Sequence, residues 1–395
     1  MKTNLKIFAD YVEPQAVNQV YEIVKSPAMD GASIRIMPDV HQGAGCVIGF
    51  TAKGYKQIVP NIVGVDISCG MLTVNCGTQP IDLKPLDQFI SASIPSGHQV
   101  SEKIDPVGDD LIKQLRCYNA LRNKDHLLRS IGSLGGGNHF IEVDVDSQGN
   151  QYLIIHTGSR NLGKQVAEYY QKKAVSYVRS AASDRQNLIA EYKAAGRQKE
   201  LESALKQLPV PKVAKDLCWL SKEDEVDYYT DMQLLQQFAS RNRQMIAHRI
   251  CTQMQLQPID SFETIHNYID FEQPEMPVIR KGAISAKAGE RVLIPLNMRD
   301  GCILGIGKGN PDWNESAPHG AGRIMSRSQA KDCISMDIFQ ESMQGIYSTS
   351  ITKSTLDESP FAYKAKDLIL NQITETIDIL DQLHPIYNFK AHDIS

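Results

Sequence analysis

The sequence predicts an α+β protein in which one domain, residues 1–395, has a mixed β-sheet core and a helical insertion at residues 164–255. Two observations lead to this prediction. Short apolar runs, rich in β-branched residues and broken by glycine, dominate residues 1–160 and return at 261–312, as is typical of buried strands. Residues 164–255 instead have a helical period. Functional-looking residues flank this helical block on both sides, which favours one domain over two separable ones.

The elements follow in chain order. Strands are predicted in GCVIGFTA, NIVGVDISCGMLTV and YLIIHTG, and a long helix begins at KQVAEYYQ. The two prolines of LPVPKVAK interrupt the helical pattern before a second long helix, DYYTDMQLLQQFASRNRQMIAHRICTQM. Near the C-terminus, RIMSRSQAKDCI is predicted to run on as a helix directly after PHGAG. The segment KAKDLILNQITETIDILDQL is predicted as one amphipathic helix, and HPIYNFKAH as a last strand.

Composition excludes several classes of protein. The chain is 42% apolar and 22% charged, as in soluble globular proteins, and no apolar run reaches the ~18 residues of a membrane span. The N-terminal MKTNLKIFADYVEPQ has no apolar signal core, so a cytoplasmic protein is expected. The net charge of −4 excludes a strongly basic nucleic-acid binder but allows a local basic groove. The eight cysteines form no C-x-x-C pair, so buried thiols are expected.

Polar residues at the glycine-flanked ends of apolar runs are candidate metal ligands. They offer one carboxylate, one thiolate and three imidazoles, a mixed set that suits a transition metal and leaves zinc, manganese and cobalt open. Because a thiolate has two usable lone pairs, its cysteine could bridge two ions. A single histidine at the end of a strand is more often a structural residue than a metal ligand. Only the combination of all five residues therefore indicates a metal site. The set is Asp66, Cys69, His139, His156 and His266.

Other motifs suit phosphates. GSLGGGNHF and HTGSRNLG expose backbone N–H groups, although neither matches the Walker or the dinucleotide fingerprint. In PHGAGR, His319 precedes Gly320, Ala321 and Gly322, which permit close approach to the backbone, and a helix start with Arg323 would face an anion. The simpler alternative is a tight turn with a surface histidine. Together these motifs indicate metal-assisted phosphoryl or nucleotidyl transfer, without deciding which.

The motifs, taken together and in their order, resemble the signatures of the RtcB RNA ligase family. They are MPDVHQGAG, GVDISCG, LGGGNHFIEV, HTGSRNLG, HNY, RKGA and HGAGRIMSR, and the resemblance runs from about residue 35 to Lys390. It implies an RtcB-like domain and a GTP-dependent ligase with two Mn²⁺ ions. The reaction implied joins an RNA 3′-phosphate or 2′,3′-cyclic phosphate to a 5′-hydroxyl, through GMP carried on His319.

The resemblance also implies roles for other residues. The five candidate metal ligands match the family's ligands, with Cys69 as the bridge. This chain departs from better-known members at IPLNMRDG, where Leu296 and Asn297 replace a Gly-Ser pair near the nucleotide, which leaves guanine recognition open. The implied nucleotide-binding residues are Asn138, Phe140, Glu142, Pro295, Asn297, Met298, Gly320, Ala321, Gly322, Arg323, Tyr363 and Lys390.

This short chain resembles the members of a compact bacterial branch of the family. That branch implies repair of nicked structured RNA, ribosomal RNA in particular, over joining of tRNA halves, with a release-factor homologue or the ribosome as partner. Two other classes remain open. One is a metal-dependent RNA-end phosphodiesterase or cyclic phosphatase without ligation, which would not need His319 and its glycines. The other is an RNA-binding scaffold without catalysis, which would not need the complete metal set.

Overall fold

Two large β-sheets, a two-stranded sheet and surrounding helices make up the fold. The computed structural model describes residues 3–197, 200–201, 204 and 213–391. The strands are β1 (Asn4–Ile7), β2 (Ser33–His41), β3 (Ile48–Lys53), β4 (Gly70–Asn75), β5 (Phe140–Val145), β6 (Gln151–Thr157), β7 (Asp260–Ile265), β8 (Asn267–Asp270), β9 (Val278–Lys281), β10 (Ala283–Ser285), β11 (Arg291–Asn297), β12 (Gly301–Gly307), β13 (Ser316–Pro318) and β14 (Ile377–Lys390). The α-helices are α1 (Pro14–Val24), α2 (Pro60–Val63), α3 (Leu83–Ser93), α4 (Pro106–Gln114), α5 (Lys124–Leu128), α6 (Arg160–Ala194), α7 (Lys222–Gln253), α8 (Arg327–Cys333), α9 (Met336–Ser342) and α10 (Lys366–Ile373). Short 3₁₀ turns lie at Pro27–Met29, Tyr118–Ala120, Lys215–Leu217, Pro311–Trp313, Lys353–Glu358 and Pro360–Ala362.

The sheets combine parallel and antiparallel pairing. The seven-stranded sheet has the order β11-β12-β14-β5-β6-β4-β7, and its strand pairs are antiparallel. The five-stranded sheet has the order β1-β2-β3-β9-β8, with β1 parallel to β2. Strands β10 and β13 pair separately. Together with the helices around them, these sheets confirm the predicted α+β class.

The helical block contains the two long helices that the sequence predicts. Helix α7 packs against α4, α6 and the strands β4 and β6, so one face must be apolar. The Ser221 side chain caps its first turn by accepting the N–H of Asp224 at 3.2 Å. The prolines of LPVPKVAK lie outside the described residues, and the status of the block as an insertion stays a prediction. The buried face of α7 includes Met232, Leu235, Phe238, Ile246 and Ile250.

The predicted C-terminal amphipathic helix is wrong over its second half. Helix α10 ends at Ile373, and β14 begins at Ile377 and continues to Lys390. Strand β14 is paired on both sides, with β12 and with β5. These backbone hydrogen bonds and the β-branched residues of TETIDI outweigh the helical period of the sequence. The last strand is therefore much longer than HPIYNFKAH.

The helix predicted directly after PHGAG begins later than expected. Helix α8 starts at Arg327, where Ser326 and Gln329 form a reciprocal capping box. Ile324, which lies before this helix, is not helical, because its N–H donates to the Ala362 carbonyl at 3.0 Å. A third difference is smaller: the start of NIVGVDISCGMLTV is the helical turn α2 and only its end is strand β4.

Candidate active site

Strand register gathers polar residues at one edge of the seven-stranded sheet. Gly70, the first residue of β4, pairs with Thr157 at the end of β6 and with Ile265 at the end of β7. Phe140, the first residue of β5, pairs with His156. Residues at or beside these positions come together although they are far apart in sequence. They are the candidate metal ligands Asp66, Cys69, His139, His156 and His266.

These five residues form two triplets that share Cys69. The ligand atoms of Asp66, Cys69 and His139 lie within 4.8 Å of one another, and so do those of Cys69, His156 and His266. Cys69 Sγ lies 3.4 Å from His139 Nε2 and 3.3 Å from His156 Nε2. The sulfur thus stands between two sets of donors, which is the position a bridging ligand requires.

Two of the imidazoles are oriented by backbone carbonyls. His139 Nδ1 donates to the Leu134 carbonyl at 3.0 Å, and His156 Nδ1 donates to the Asn138 carbonyl at 3.2 Å. Because a carbonyl oxygen only accepts, each Nδ1 carries a proton. Each Nε2 faces the other candidate ligands, and His139 Nε2 also lies 3.1 Å from Asp66 Oδ2. Such carbonyl contacts commonly orient metal-binding histidines.

The loops of the site are supported from behind by α7. The guanidinium of Arg243, fully buried, donates to the carbonyls of Ser68 at 3.1 Å and Thr157 at 2.9 Å. Gly158 leaves room for the carboxylate, because a Cβ there would lie 2.4 Å from Asp66 Oδ1. Arg243 was not predicted as a site residue, since nothing in its local sequence distinguishes it from a surface arginine.

The chemistry of the five side chains fits bound cations. Burial, with smaller contributions from neighbouring histidines, lowers the pKa of His156 and His266 well below the usual range, so both imidazoles are neutral. Burial and the Asp66 carboxylate raise the pKa of the Cys69 thiol well above its usual range. A thiolate there therefore needs a nearby positive charge. In the described part of the chain, Asp66 Oδ1 and His266 Nδ1 are buried without a hydrogen-bond partner. Transition-metal ions would supply both the charge and the missing partners.

His319 lies beside these triplets and is held by Asp39. The His319 ring lies 4.8 Å from that of His266, between centroids. His319 Nδ1 donates to Asp39 Oδ2 at 2.7 Å, and Asp39 is fully buried. In a neutral imidazole, this contact would leave the lone pair on His319 Nε2. Asp39 belongs to the motif MPDVHQGAG, but its role cannot be predicted from the sequence because its partner is 280 residues away.

The segment that carries Asp39 is held on both sides. Lys364 Nζ donates to the carbonyls of Pro38 and Val40, at 2.8 Å each. Gly322 has a φ of +72°, and a Cβ there would lie 2.1 Å from the Asp39 carbonyl oxygen. Glycine at this position therefore permits the close contact between the two segments that sets the His319–Asp39 pair.

An open cleft of about 990 Å³ leads to His319, His156 and His266. It is wide enough for a nucleotide, since ligand pockets typically measure ~300–1,000 Å³. Every residue that the resemblance relates to nucleotide binding lines it: Asn138, Phe140, Glu142, Pro295, Asn297, Met298, Gly320, Ala321, Gly322, Arg323, Tyr363 and Lys390.

Cationic side chains converge on Glu358 in this cleft. Glu358 Oε2 accepts from Lys390 Nζ and from the Tyr363 hydroxyl, both at 2.8 Å. Its Oε1 accepts from Arg327 at 2.6 Å and from Arg323 at 3.5 Å. Burial alone would raise the pKa of Glu358, but Lys390 and the arginines lower it to about 2. Glu358 was not predicted from the sequence, yet it contacts three of the predicted nucleotide-binding residues, Arg323, Tyr363 and Lys390.

Two predicted nucleotide contacts have polar groups already engaged within the protein. The Arg323 guanidinium donates to the carbonyls of Met325 at 3.1 Å and Asp357 at 2.6 Å. Asn297 Oδ1 accepts the N–H of Asp300 at 3.0 Å, and its Nδ2 donates to Asp300 Oδ2 at 2.8 Å. The segment IPLNMRDG, in which this chain departs from better-known members, therefore forms a turn that is held by the Asn297–Asp300 hydrogen bonds.

A family profile described as tRNA-splicing ligase RtcB matches residues 19–120 and 116–391. The chain belongs to the RtcB family of RNA ligases. Among its relatives are the RNA-splicing ligase RtcB of Escherichia coli (strain K12), 29% identical over 96% of this chain and 95% of that protein. The tRNA-splicing ligase RtcB of Aeropyrum pernix is 26% identical over 87% of this chain and 84% of that protein. The RNA-splicing ligase RtcB of Mycobacterium bovis is 27% identical over 89% of this chain and 94% of that protein.

Membership of the RtcB family makes the chain an RNA ligase whose substrate is RNA, and the two triplets point to metal dependence. Seven of the cysteines are buried and free, as expected, whereas Cys333 is exposed. Within the described ranges, no helix has both the length and the apolar character needed to cross a membrane.

Proposed function

We propose that this RtcB family member joins an RNA 3′-phosphate or 2′,3′-cyclic phosphate to a 5′-hydroxyl, with GTP as co-substrate and two Mn²⁺ ions. The observation that carries the proposal is that His319 lines a nucleotide-sized cleft and is held by the buried Asp39. A neutral imidazole held through Nδ1 presents the Nε2 lone pair as a nucleophile. A hydrolase that never forms a covalent intermediate has no need of this arrangement.

The two triplets would hold the metal ions. Asp66, Cys69 and His139 fit one ion and Cys69, His156 and His266 the other. When bound, these ions offset the negative charge of the phosphates. Their charge also accounts for a thiolate at Cys69, since burial disfavours the ionised form of that residue.

The first step uses His319. Its Nε2 attacks the α-phosphorus of GTP, an N–P bond forms, and the bond to pyrophosphate breaks. The imidazole becomes cationic as it loses its lone pair. The Asp39 carboxylate, 2.7 Å from Nδ1, stabilises that charge.

The second and third steps transfer GMP to RNA. An oxygen of the RNA 3′-phosphate attacks the GMP phosphorus, and the N–P bond breaks, which restores neutral His319. The 5′-hydroxyl oxygen then attacks the activated 3′-phosphorus and gives up its proton to solvent, and GMP leaves as the new phosphodiester forms. A 2′,3′-cyclic phosphate needs prior hydrolysis to the 3′-phosphate.

The nucleotide lies in the cleft between Phe140, Glu142 and Lys390. Lys390 Nζ is 5.1 Å from the centre of the Phe140 ring and is fixed by Glu358. The Lys390 ammonium and the Phe140 ring thus lie side by side in the lining of the cleft. Asn138 and the small residues Gly320, Ala321 and Gly322 leave the approach to His319 open.

Incubation with GTP labelled at the α-phosphate, in the presence of Mn²⁺, tests the covalent step. The wild-type chain should form a labelled adduct that is labile in acid and stable in alkali, as an N–P bond is. His319→Ala should fold, keep its bound Mn²⁺ and form no adduct. An adduct that persists in His319→Ala moves the nucleophile elsewhere. RNA-end hydrolysis without any adduct identifies a phosphodiesterase or cyclic phosphatase instead.

We further propose that the chain acts in the cytoplasm on nicked structured RNA, ribosomal RNA in particular, with a release-factor homologue or the ribosome as partner. This proposal is supported by the resemblance of the short chain to members of a compact bacterial branch of the family. Nicked ribosomal RNA and tRNA halves supplied together, with GTP and Mn²⁺, test the preference. Faster sealing of tRNA halves contradicts a repair role, and joining of 3′-hydroxyl to 5′-phosphate ends contradicts the mechanism.

A further inference from the structure

Two carboxyl groups lie together on β5, one in the lining of the cleft and one deeper in the protein. Glu142 and Asp144 are two residues apart and so point to the same face of the strand. Glu142 lines the cleft and is 2% exposed, whereas Asp144 lies deeper and is fully buried. One oxygen of each carboxyl and the Cys302 sulfur lie within 4.8 Å of one another.

The partners of the two carboxyl groups differ sharply. Glu142 Oε2 accepts from Asn388 Nδ2, and its Oε1 lies 3.7 Å from the Cys302 thiol. Neither oxygen of Asp144 has a hydrogen-bond partner among the residues that the structure describes. Asp144 pairs across the sheet with Tyr152 and Pro385, and Tyr152 packs in a hydrophobic cluster with Cys302.

Two buried carboxylates cannot both be ionised at this separation. Burial raises the pKa of Asp144 well above its usual range and that of Glu142 to about 7. Asn388, Lys390 and Cys302 favour the ionised form of Glu142, whereas of these three only Cys302 acts in that way on Asp144. The shared proton therefore resides on Asp144, whose O–H gains the Glu142 carboxylate as its acceptor.

We propose that Asp144 is a positioning residue for recognition of the nucleotide base: in its protonated form it donates to Glu142 and fixes that side chain as a negatively charged acceptor facing the cleft. The inference rests on the proposed function, in which the cleft holds GTP. Guanine presents an N1–H and a 2-amino group on one edge, whereas adenine has an acceptor at N1 and no 2-amino group. An ionised, fixed carboxylate thus favours guanine over adenine.

Binding measurements on Asp144→Leu and Asp144→Asn test this role in the full-length chain. The asparagine keeps a donor of the same shape, so its GTP dissociation constant should stay within about threefold of the wild-type value. The leucine removes the donor, so GTP binding should weaken by about ten- to a hundredfold, as for one lost hydrogen bond to a charged group. ATP binding should hardly change. An unchanged preference for GTP over ATP in Asp144→Leu overturns the inference.

Infrared spectroscopy gives a readout that does not depend on binding. The wild-type chain should show the C=O stretch of a protonated carboxylic acid, and Asp144→Asn should lack it. A spectrum without that band in the wild type places no proton on Asp144 and overturns the inference, even if Asp144→Leu fails to fold. If the wild type binds no GTP but shows the band, the proposed function fails while the protonated pair stands.

Metal analysis distinguishes a protonated Glu142–Asp144 pair from a cation site formed by the same residues. The three side chains Glu142, Asp144 and Cys302 could instead hold a metal ion. We expect equal metal content, by mass spectrometry, in the wild type and in Asp144→Asn. Loss of a metal ion from Asp144→Asn overturns the inference and assigns the pair to a cation site.

Discussion

Substitution of Asp39 should slow the formation of the GMP adduct without changing metal content. In the native chain a fully buried carboxylate accepts from His319 Nδ1 at 2.7 Å. Asp39→Asn retains an acceptor but loses the charge, and Asp39→Ala loses both. A hydrogen bond to a charged group contributes about 1.5–3 kcal/mol and a neutral one about 1 kcal/mol.

These energies set the expected rates. Since each 1.4 kcal/mol in a barrier is about tenfold, Asp39→Asn should label roughly tenfold more slowly and Asp39→Ala roughly a hundredfold. The assay is the single-turnover rate of labelling with GTP labelled at the α-phosphate. A matched control is Asp87→Asn, because Asp87 is also a buried acceptor, from Tyr387 at 3.0 Å, but does not line the cleft.

The control should label at the wild-type rate, and all variants should retain their metal. If Asp39→Asn and Asp39→Ala both label as fast as the wild type, Asp39 does not orient the nucleophile. Equal slowing in Asp87→Asn would show that the loss follows from general destabilisation. Neither result is compatible with the role derived from the His319–Asp39 contact.

Further predictions concern metal, packing and acid stability. Cys69→Ala should lose more bound Mn²⁺ than any single histidine variant, because the thiolate stands between both triplets; unchanged stoichiometry by mass spectrometry would exclude the bridge. Gly322→Ala should lower the free energy of unfolding in urea by about 1–3 kcal/mol. Gly136→Ala should be nearly neutral, because a Cβ there would lie 3.7 Å from the nearest atom and the residue has no positive φ. Burial would raise the pKa of Asp270, but Arg280 and a neighbouring lysine lower it to about 2. Its contribution to stability is therefore present above about pH 4 and lost as the pH falls towards 2, so Asp270→Asn should be less stable at neutral pH and show a shallower acid transition.

Some predictions from local sequence hold because the signal itself is local. The long helix α7 has a sustained helical period and a cap at Ser221, and it forms where predicted. The strand segments at 261–312 are short, apolar and separated by turns, and they form strands. The predicted helix that includes Ile377 fails, because the sheet partners that stabilise β14 lie elsewhere in the chain.

The motifs determine which residues are available for chemistry, and the tertiary structure decides how they act. The sequence and its family resemblance supplied the five candidate ligands, His319 and twelve of the residues that line the cleft. They could not supply the Asp39–His319 contact, the convergence on Glu358 or the Glu142–Asp144 pair, since a side chain acquires its partner, its burial and its protonation state only when the strands pair. Composition and spacing therefore set the chemical class of the site, while strand register fixes which nitrogen carries a lone pair and which carboxyl group carries a charge.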